Sequence, residues 1–436
     1  MTDKNKIKVV WLAQFSNAEV RSHLKYRIPL IERIVRKLKH REFPPPADYC
    51  QWVTNAIKEF EKFDDVELHI IAPVLKLAKR ECHFDINGIH YHIYRDEAGT
   101  DIEFIRRNMK ANHLCSYQKD KKYVQRLIKT INPDIVHLYG AENLNNAYCL
   151  LDVPKHIPTI VQLQTLLSSP TFKAGADMPA FEYEERAKCE KTVIRGADYI
   201  GTGGIKFLPT IRESIKHDVI AMVMPLALAE QFNLEQESKE YDFVYFARNI
   251  SKAADWAIEA FAIVCKKHPH LSLHIIGVYS EDYKSTLDKR IAELGIEDNV
   301  VFEGELPTHD DVLRRIRKAR YALLPLKVDL VSGTIREAMC NGIPVVSTIT
   351  PGTPKLNEKR ESLLLSEKED FEGMAANMLR LLEDPSLAAS LVENAAATMH
   401  ERDDNYTRMR QSVAVYQACI KHHKEGTPIP VELLRP

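Results

Sequence analysis

The sequence predicts an α/β protein built from two doubly wound parallel sheets, and three observations support this prediction. Short apolar segments of strand length alternate with helical segments along most of the chain, a pattern typical of parallel sheets covered by helices on both faces. The 436 residues are enough for two separate cores. A proline followed by a polar, charged stretch interrupts the alternation at 224–240.

The predicted strands form two groups, one on each side of this interruption. They are 8–13, 66–72, 89–94, 135–139, 159–163 and 199–202 in the first group, and 242–247, 271–276, 300–303, 321–325 and 344–347 in the second. We therefore expect a first domain over 1–228 and a second over 236–403, followed by a final amphipathic helical segment over 404–436. Ligands of such sheets bind at the carboxyl ends of the strands.

Composition narrows the function classes. The chain is 45% hydrophobic and 28% charged, and its formal charge of −1 argues against a general nucleic-acid binder. The eight cysteines are scattered, with no Cys/His cluster at zinc spacing, which indicates reduced thiols and no metal site. The apolar part of the N-terminus is short and predicts a first strand, not a signal peptide, which favours a cytoplasmic location.

The segment 324–350 carries the most informative pattern. Asp329 precedes Glu337 by eight residues, and the small-residue turn Ser332-Gly333-Thr334 lies between them. A short helical run over 335–340 and an apolar strand follow. A loop rich in small residues at a helix N-terminus is a site for anions. Two carboxylates beside it can bind sugar hydroxyls, so the segment predicts a nucleotide-sugar site.

A second group of residues lies at other predicted strand ends. Arg248 and Lys252 follow the strand 242–247, where two cations can neutralise a diphosphate. Gly277 and Gly304 end two further strands, and a glycine there allows close approach of the backbone to a ligand. For each of these residues the alternative is an ordinary surface loop.

Together these motifs resemble those of retaining glycosyltransferases of family 4 (glycosyl transferases group 1), which have the GT-B fold of two Rossmann-like domains facing a central cleft. Glu337, the Ala338-Met339 pair after it and the Pro344-Val345-Val346 strand match the second half of the family's E-x7-E motif. Asp329 stands where the family has its first glutamate, and Gly333 lies one position beyond the usual glycine.

The resemblance implies transfer of a sugar from a nucleotide-diphosphate donor to an acceptor hydroxyl with retention, in synthesis of a cell-surface polysaccharide or glycoconjugate. Arg248 and Lys252 would hold the diphosphate together with amides of Ser332, Gly333 and Thr334. Asp329 would bind the donor sugar and Glu337 the ribose, with Gly277 and Gly304 flanking the nucleotide. No metal or cofactor is expected, and the final helix is expected to cross back to the first domain.

The first domain departs further from the family pattern. Ser16 and Asn17 follow the first strand, where many relatives have a Gly-Gly loop. Gln164 replaces a histidine at the end of a later strand, and Glu142 is the carboxylate nearest to the end of the strand 135–139. These four residues are the acceptor-side candidates. His137 lies inside an apolar strand, which favours a core position over a catalytic role.

The window 21–41 predicts a basic amphipathic helix. It either packs on the first sheet with its basic face in water, or contacts the inner face of an anionic membrane that carries a lipid-linked acceptor. Two further functions remain open for the chain. One is a GT-B sugar-nucleotide epimerase, for which no convincing acid/base pair is found. The other is a non-catalytic nucleotide-sugar-binding subunit, which the departures of the first domain from the family pattern support.

Overall fold

The computed structural model describes residues 6–38, 47–110, 112–169, 178–202, 208–214, 220–222, 238–247, 253–327, 333–350, 352–402 and 405–434. The chain divides into two compact units. The first combines Met1–Ala227 with Asn405–Pro436, and the second is Leu228–Asp404. Each unit contains one sheet with helices, so the predicted α/β fold class is confirmed.

The sheet of the first unit has the strand order β3-β4-β2-β1-β5-β6-β7-β8, and all neighbours are parallel except β3 and β4. The strands are β1 (Ile7–Leu12), β2 (Val66–Val74), β3 (Glu81–Ile86), β4 (Ile89–Arg95), β5 (Ile135–Tyr139), β6 (Thr159–Leu163), β7 (Tyr199–Thr202) and β8 (Ile220–Met222). The central strands β5 and β6 are buried along their whole length, which explains their continuous apolar sequence.

Helices connect these strands. They are α1 (Ala18–Ser22), α2 (Leu30–Leu38), α3 (Gln51–Phe60), α4 (Asp101–Met109), α5 (Gln118–Ile131), α6 (Leu144–Ala147), α7 (Ala180–Gly196) and α8 (Leu208–Ser214). A tight hairpin joins β3 to β4 through Asn87 and Gly88, both with positive φ, as a two-residue hairpin turn requires. Sequence reasoning missed β3, because its residues alternate between polar and apolar and are mostly part-exposed.

The sheet of the second unit has the order β11-β10-β9-β12-β13-β14, with every neighbouring pair parallel. Its strands are β9 (Tyr241–Phe246), β10 (Leu273–Ile276), β11 (Val300–Gly304), β12 (Ala319–Leu324), β13 (Val345–Thr348) and β14 (Leu364–Ser366). This is the strand order of the Rossmann fold, in which the direction of winding reverses between the first and fourth strands. That switch point lies here between β9 and β12.

The helices of the second unit cover the two faces of this sheet. They are α9 (Ala254–Cys265), α10 (Glu281–Leu294), α11 (His309–Arg317), α12 (Gly333–Cys340), α13 (Phe371–Glu383) and α14 (Pro385–Arg402). The core between sheet and helices is aliphatic and aromatic, and Phe243, Tyr245 and Phe261 are among its fully buried side chains.

The last helix, α15 (Asn405–Glu425), belongs to the first unit. Its Tyr416 is fully buried and accepts a hydrogen bond of 3.0 Å from Nε1 of Trp11 on β1. The Tyr416 hydroxyl also forms a hydrogen bond of 2.7 Å with Nδ1 of His137 on β5. Burial lowers the pKa of His137 to about 3, so this imidazole is a neutral core group. Arg410 adds a bidentate pair with Asp65.

Among the described residues, no helix combines the length and the apolar character needed to cross a membrane.

Candidate active site

The switch point of the second sheet lies between β9 and β12, and each of these strands is followed by a segment that sequence analysis singled out. The chain leaves β9 through 248–252 and enters α9, and it leaves β12 through 328–332 and enters α12. Arg248, Lys252, Asp329 and Ser332 lie in these two loops, outside the described residues. The strand and helix ends on both sides of the loops are described, and they define the surroundings of the site.

An ion pair connects the two sides of the switch point. Lys327, just after β12, places Nζ 2.7 Å from Oδ2 of Asp255, in the first turn of α9. The Tyr283 hydroxyl donates to the other carboxylate oxygen at 3.1 Å. The Lys327 ammonium also lies 5.4 Å from the ring centroid of Trp256. This network holds the beginning of α9 beside the end of β12, where the two loops start or finish.

Glu337 lies in the middle of α12, and its carboxylate faces a histidine from another helix. Its Oε1 is 3.2 Å from Nε2 of His309, and both side chains are largely but not fully buried. A capping box between Thr308 and Asp311 fixes the start of α11 and thereby places His309 at the first helical position. His309 thus restrains a carboxylate that remains partly accessible.

Gly277 marks a close approach between two strand ends. Its φ is +149°, and a Cβ added there would lie 2.0 Å from the carbonyl oxygen of Ala247, directly after β9. Its N–H donates to the carbonyl of Gly304 at 2.9 Å. The ends of β9, β10 and β11 therefore lie side by side, with no side chain at Gly277 between them.

Gly333 and Thr334 form the first turn of α12. The N-terminal turn of a helix carries partial positive charge and N–H groups without an intrahelical acceptor. The helix begins directly after the loop that contains Asp329 and Ser332, so this turn borders the switch point.

The first sheet has its own switch point between β1 and β5, and Glu142 lies close to it. Its side chain is 7% exposed, and burial raises its pKa above the ordinary value. An added Cβ on Gly140, whose φ is +78°, would lie 2.9 Å from Glu142 Oε2, so glycine makes room for the carboxylate. Within the described part of the chain, Oε2 has no hydrogen-bond partner.

Two amides at the same edge share this property. Asn146 on α6 has both of its side-chain polar atoms buried, and Gln164 after β6 has its Nε2 buried. None of these atoms has a hydrogen-bond partner among the residues that the structure describes. Tyr139 pairs with Gln162 in the register of β5 and β6, so the residues that follow these strands share one edge. Buried polar groups without protein partners are candidates for contact with ligand or water.

Ser16 and Asn17, in contrast, have local partners. The Asn17 side chain caps α1 by accepting from the Val20 N–H at 2.8 Å, and its amide donates to Thr54 at 3.3 Å. The Ser16 hydroxyl accepts from Arg21 at 2.9 Å. These contacts shape the loop after β1.

Sequence reasoning missed Asp255, Lys327, His309 and Asn146. A signal existed for Lys327, because a lysine directly after a buried strand lies at a carboxyl edge. No local signal indicated His309, since it reaches Glu337 from a different helix.

Comparison with known proteins places the second unit in a family. Residues 229–398 match the family model described as Glycosyl transferases group 1. The chain carries a glycosyl transferases group 1 domain. The strand order of this unit is that of a Rossmann-type sheet.

Two curated relatives match part of the chain. An uncharacterized glycosyltransferase of Haemophilus influenzae is 28% identical over 137 residues, covering 31% of this chain and 37% of the relative. The amylovoran biosynthesis glycosyltransferase AmsK of Erwinia amylovora is 28% identical over 167 residues, covering 37% of this chain and 40% of the relative. The match thus spans less than half the length of either relative.

The whole chain resembles solved structures in fold. Anabaena HepE, solved in complex with UDP and glucose, aligns with a TM-score of 0.62 at 14% identity, over 94% of this chain and 100% of HepE. The glycosyl transferases group 1 domain is therefore part of a GT-B architecture, as the sequence predicts.

Proposed function

We propose that this protein is a retaining glycosyltransferase that moves a sugar from a nucleoside-diphosphate donor to a hydroxyl of a carbohydrate or lipid-linked acceptor. The observation that carries the proposal is the switch point of the second sheet. There the Asp255–Lys327 pair joins the ends of α9 and β12, whose loops contain Arg248, Lys252 and Asp329. Ligands of Rossmann-type sheets bind at this position.

In the proposed mechanism, Arg248 and Lys252 bind the diphosphate and stabilise the charge that develops on it as the glycosidic bond breaks. The first turn of α12 adds its partial positive charge. Glu337, restrained by His309, accepts hydrogen bonds from the ribose, and Asp329 binds hydroxyls of the donor sugar. With these protein cations in place, the reaction needs no metal ion. The acceptor hydroxyl attacks from the leaving-group side and passes its proton to the departing phosphate.

The first unit supplies the acceptor site in this proposal. Glu142, Asn146 and Gln164 offer buried polar atoms at the edge of β5 and β6, and such atoms suit the hydroxyls of a sugar. The role of AmsK in amylovoran synthesis supports an acceptor of the polysaccharide class.

Donor binding is tested by thermal shift against nucleoside diphosphates and their sugars, because a ligand that binds the native state raises its stability. Lys252→Ala and Glu337→Ala are expected to abolish the shift. Glu259→Ala is the matched control, since Glu259 pairs with Arg290 on the outer helices, and it should keep the wild-type shift. An unchanged shift in Glu337→Ala would overturn the assignment of this carboxylate.

Product analysis separates transfer from the two other functions. Release of nucleoside diphosphate that depends on an acceptor supports transfer. Conversion of the donor into its epimer without acceptor would identify an epimerase. Donor binding without turnover across a broad acceptor panel would identify a binding subunit.

The prediction of one basic helix over 21–41 is wrong in its bounds, because α1 ends at Ser22 and α2 begins at Leu30. The acceptor proposal includes contact with an anionic membrane through α2. The side of α2 that faces the protein carries Glu32, which is buried and paired with Lys76 at 3.0 Å and Arg36 at 2.9 Å. Ile34 and Leu38, one turn apart, are 50% and 75% exposed. A helix that turns a carboxylate inward and aliphatic side chains outward, with basic residues beside them, fits the interface of an anionic bilayer.

Vesicle flotation tests this contact. Vesicles rich in phosphatidylserine are expected to retain the protein at low salt and release it at high salt, and neutral phosphatidylcholine vesicles are expected not to retain it. Ile34→Ser should weaken binding. Val431→Ser removes an aliphatic side chain that is 80% exposed and lies far along the sequence, and it should have no effect. Absence of binding to anionic vesicles at low salt would refute the contact.

A further inference from the structure

One face of the first sheet carries a cluster of histidines and carboxylates. In the register of β2 and β4, His69 lies opposite His90. In the register of β3 and β4, His83 lies opposite His92 and Asp85 lies opposite His90. Since side chains two residues apart share a face of a strand, Glu67 of β2 lies on this face too. The alternate residues of the same strands, which include Leu68, Ile70, Tyr91 and Ile93, are buried in the core.

Three of these side chains lie at the separations that a metal ion requires. Glu67, His69 and His90 each offer one ligand atom, and the three atoms lie within 4.8 Å of one another. Glu67 Oε1 is 2.8 Å from His69 Nε2, and the imidazole rings of His69 and His90 stack with centroids 4.6 Å apart. Ligand atoms in a tetrahedral zinc site are about 3.3 Å apart, given metal–ligand bonds of about 2.0 Å. Binding would turn the two stacked rings so that one nitrogen of each faces the ion.

The second ring nitrogen of each of these two histidines also contacts another side chain. Nδ1 of His69 lies 3.0 Å from Nε2 of His92, and Nδ1 of His90 lies 2.7 Å from Oδ1 of Asp85. In metal sites the second nitrogen of a ligating histidine is usually held by such a partner, which fixes the ring and leaves the other nitrogen for the ion. The cluster therefore has both the inner ligands and the outer partners of a metal centre.

We propose that Glu67, His69 and His90 form a binding site for a divalent transition-metal ion of the zinc class, with Asp85 and His92 as outer partners. Two imidazoles and one carboxylate favour Zn²⁺ over Mg²⁺ or Ca²⁺, which prefer oxygen ligands. Glu67 and His90 are about one third exposed, which gives an ion access from solvent.

The site lies apart from the proposed acceptor edge and has a structural role. Glu67, His69 and His90 occupy the amino-terminal halves of β2 and β4, whereas Glu142 and Gln164 follow the carboxyl ends of β5 and β6. A bound ion would fasten the β3–β4 hairpin to β2 at the end of the sheet. Because the unfolded chain does not hold these ligands together, the free energy of metal binding would add to the free energy of unfolding.

Zinc binding is measured on the full chain with any affinity tag removed, by isothermal titration with ZnCl₂ and by elemental analysis after dialysis. The wild type is expected to bind one ion per chain and to unfold at a higher temperature with zinc than with EDTA. His69→Gln and His90→Gln should each abolish this binding. Asp85→Asn, which removes an outer partner, should weaken it by about tenfold or more.

Two controls make the result specific. His113→Gln alters a histidine that lies 2.8 Å from the Glu103 carboxylate elsewhere in the first unit, and it should bind zinc as the wild type does. X-ray absorption at the zinc edge should show nitrogen and oxygen neighbours, because the cysteines are not part of the site. Circular dichroism checks that each variant is folded. Equal binding by folded His69→Gln and His90→Gln, sulfur neighbours, or no stoichiometric binding by the wild type would each overturn the proposal.

Discussion

The carboxyl edges of the two sheets differ in how they hold their polar groups. At the edge of the second sheet, Asp255, Lys327 and Glu337 are charged, partly accessible and paired with other side chains. At the edge of the first sheet, Glu142 and Gln164 present buried atoms without hydrogen-bond partners in the described chain. The difference follows the chemistry of the two proposed substrates. A diphosphate is bound by charge, whereas an uncharged sugar is selected by hydrogen bonds in a dry pocket.

The largest expected effect comes from a substitution at the charged carboxyl edge of the second sheet. Glu337→Gln keeps the size of the side chain but removes the charge that accepts hydrogen bonds from the ribose. Hydrogen bonds to a charged group contribute about 1.5–3 kcal/mol, so the donor KM should rise by roughly 10- to 100-fold. The acceptor KM should stay the same. Steady-state kinetics with each substrate varied in turn checks this, and an effect confined to the acceptor would reverse the assignment of the two edges.

A smaller effect is expected on the uncharged edge. Gln164→Ala removes a neutral hydrogen-bonding group, worth about 1 kcal/mol, and should lower kcat/KM for the acceptor about fivefold. Donor binding should not change. Gln118→Ala, at an exposed position at the start of α5, serves as the control and should leave both substrates unaffected. Weaker donor binding in Gln164→Ala would show that the first unit does not separate acceptor from donor.

The smallest effect concerns stability and pH. Burial raises the pKa of Glu142 above its ordinary 4.5, so the folded protein favours the protonated carboxyl. The stability that the protonated Glu142 carboxyl contributes is fully present below pH 4.5. It is lost as the pH rises through the raised pKa of the folded state. The glutamine of Glu142→Gln cannot ionise. The urea midpoint of this variant should therefore rise relative to that of the wild type as the pH increases above 4.5. A difference between the two midpoints that is independent of pH would show that Glu142 ionises normally in the folded state.

Much of the second unit could be predicted from its sequence, because local patterns determine it. Strand ends, the small-residue turn before α12 and Glu337 all follow from residues close together in the chain. The first unit was less predictable. The cluster around His69 depends on pairing between separate strands, and in the second unit the contact of His309 with Glu337 likewise joins two different helices. Zinc-type spacing cannot reveal ligands that two strands contribute with an outer partner on a third, since neither the β2–β4 pairing nor the β3–β4 register appears in a linear motif.

Sequence reasoning also missed short strands with partly polar sequences. The strands β3, β8 and β14 were not predicted, because each is short or lies at a sheet edge where burial does not impose an apolar sequence. Conversely, His137 was expected in the core, and its contact with Tyr416 gives the reason. Its neutral ring forms a hydrogen bond with a tyrosine that the sequence could not place nearby, 279 residues further along the chain.

The placement of α15 has a consequence for biosynthesis. The first unit needs residues from both ends of the chain, and the second unit is encoded as an insertion between them. During translation the second unit emerges whole before Trp11 and His137 can meet Tyr416. The apolar surface of the first unit that α15 covers therefore stays exposed until this helix leaves the ribosome. A premature stop codon after the second unit would release a chain that carries the complete second unit but lacks the helix that completes the first.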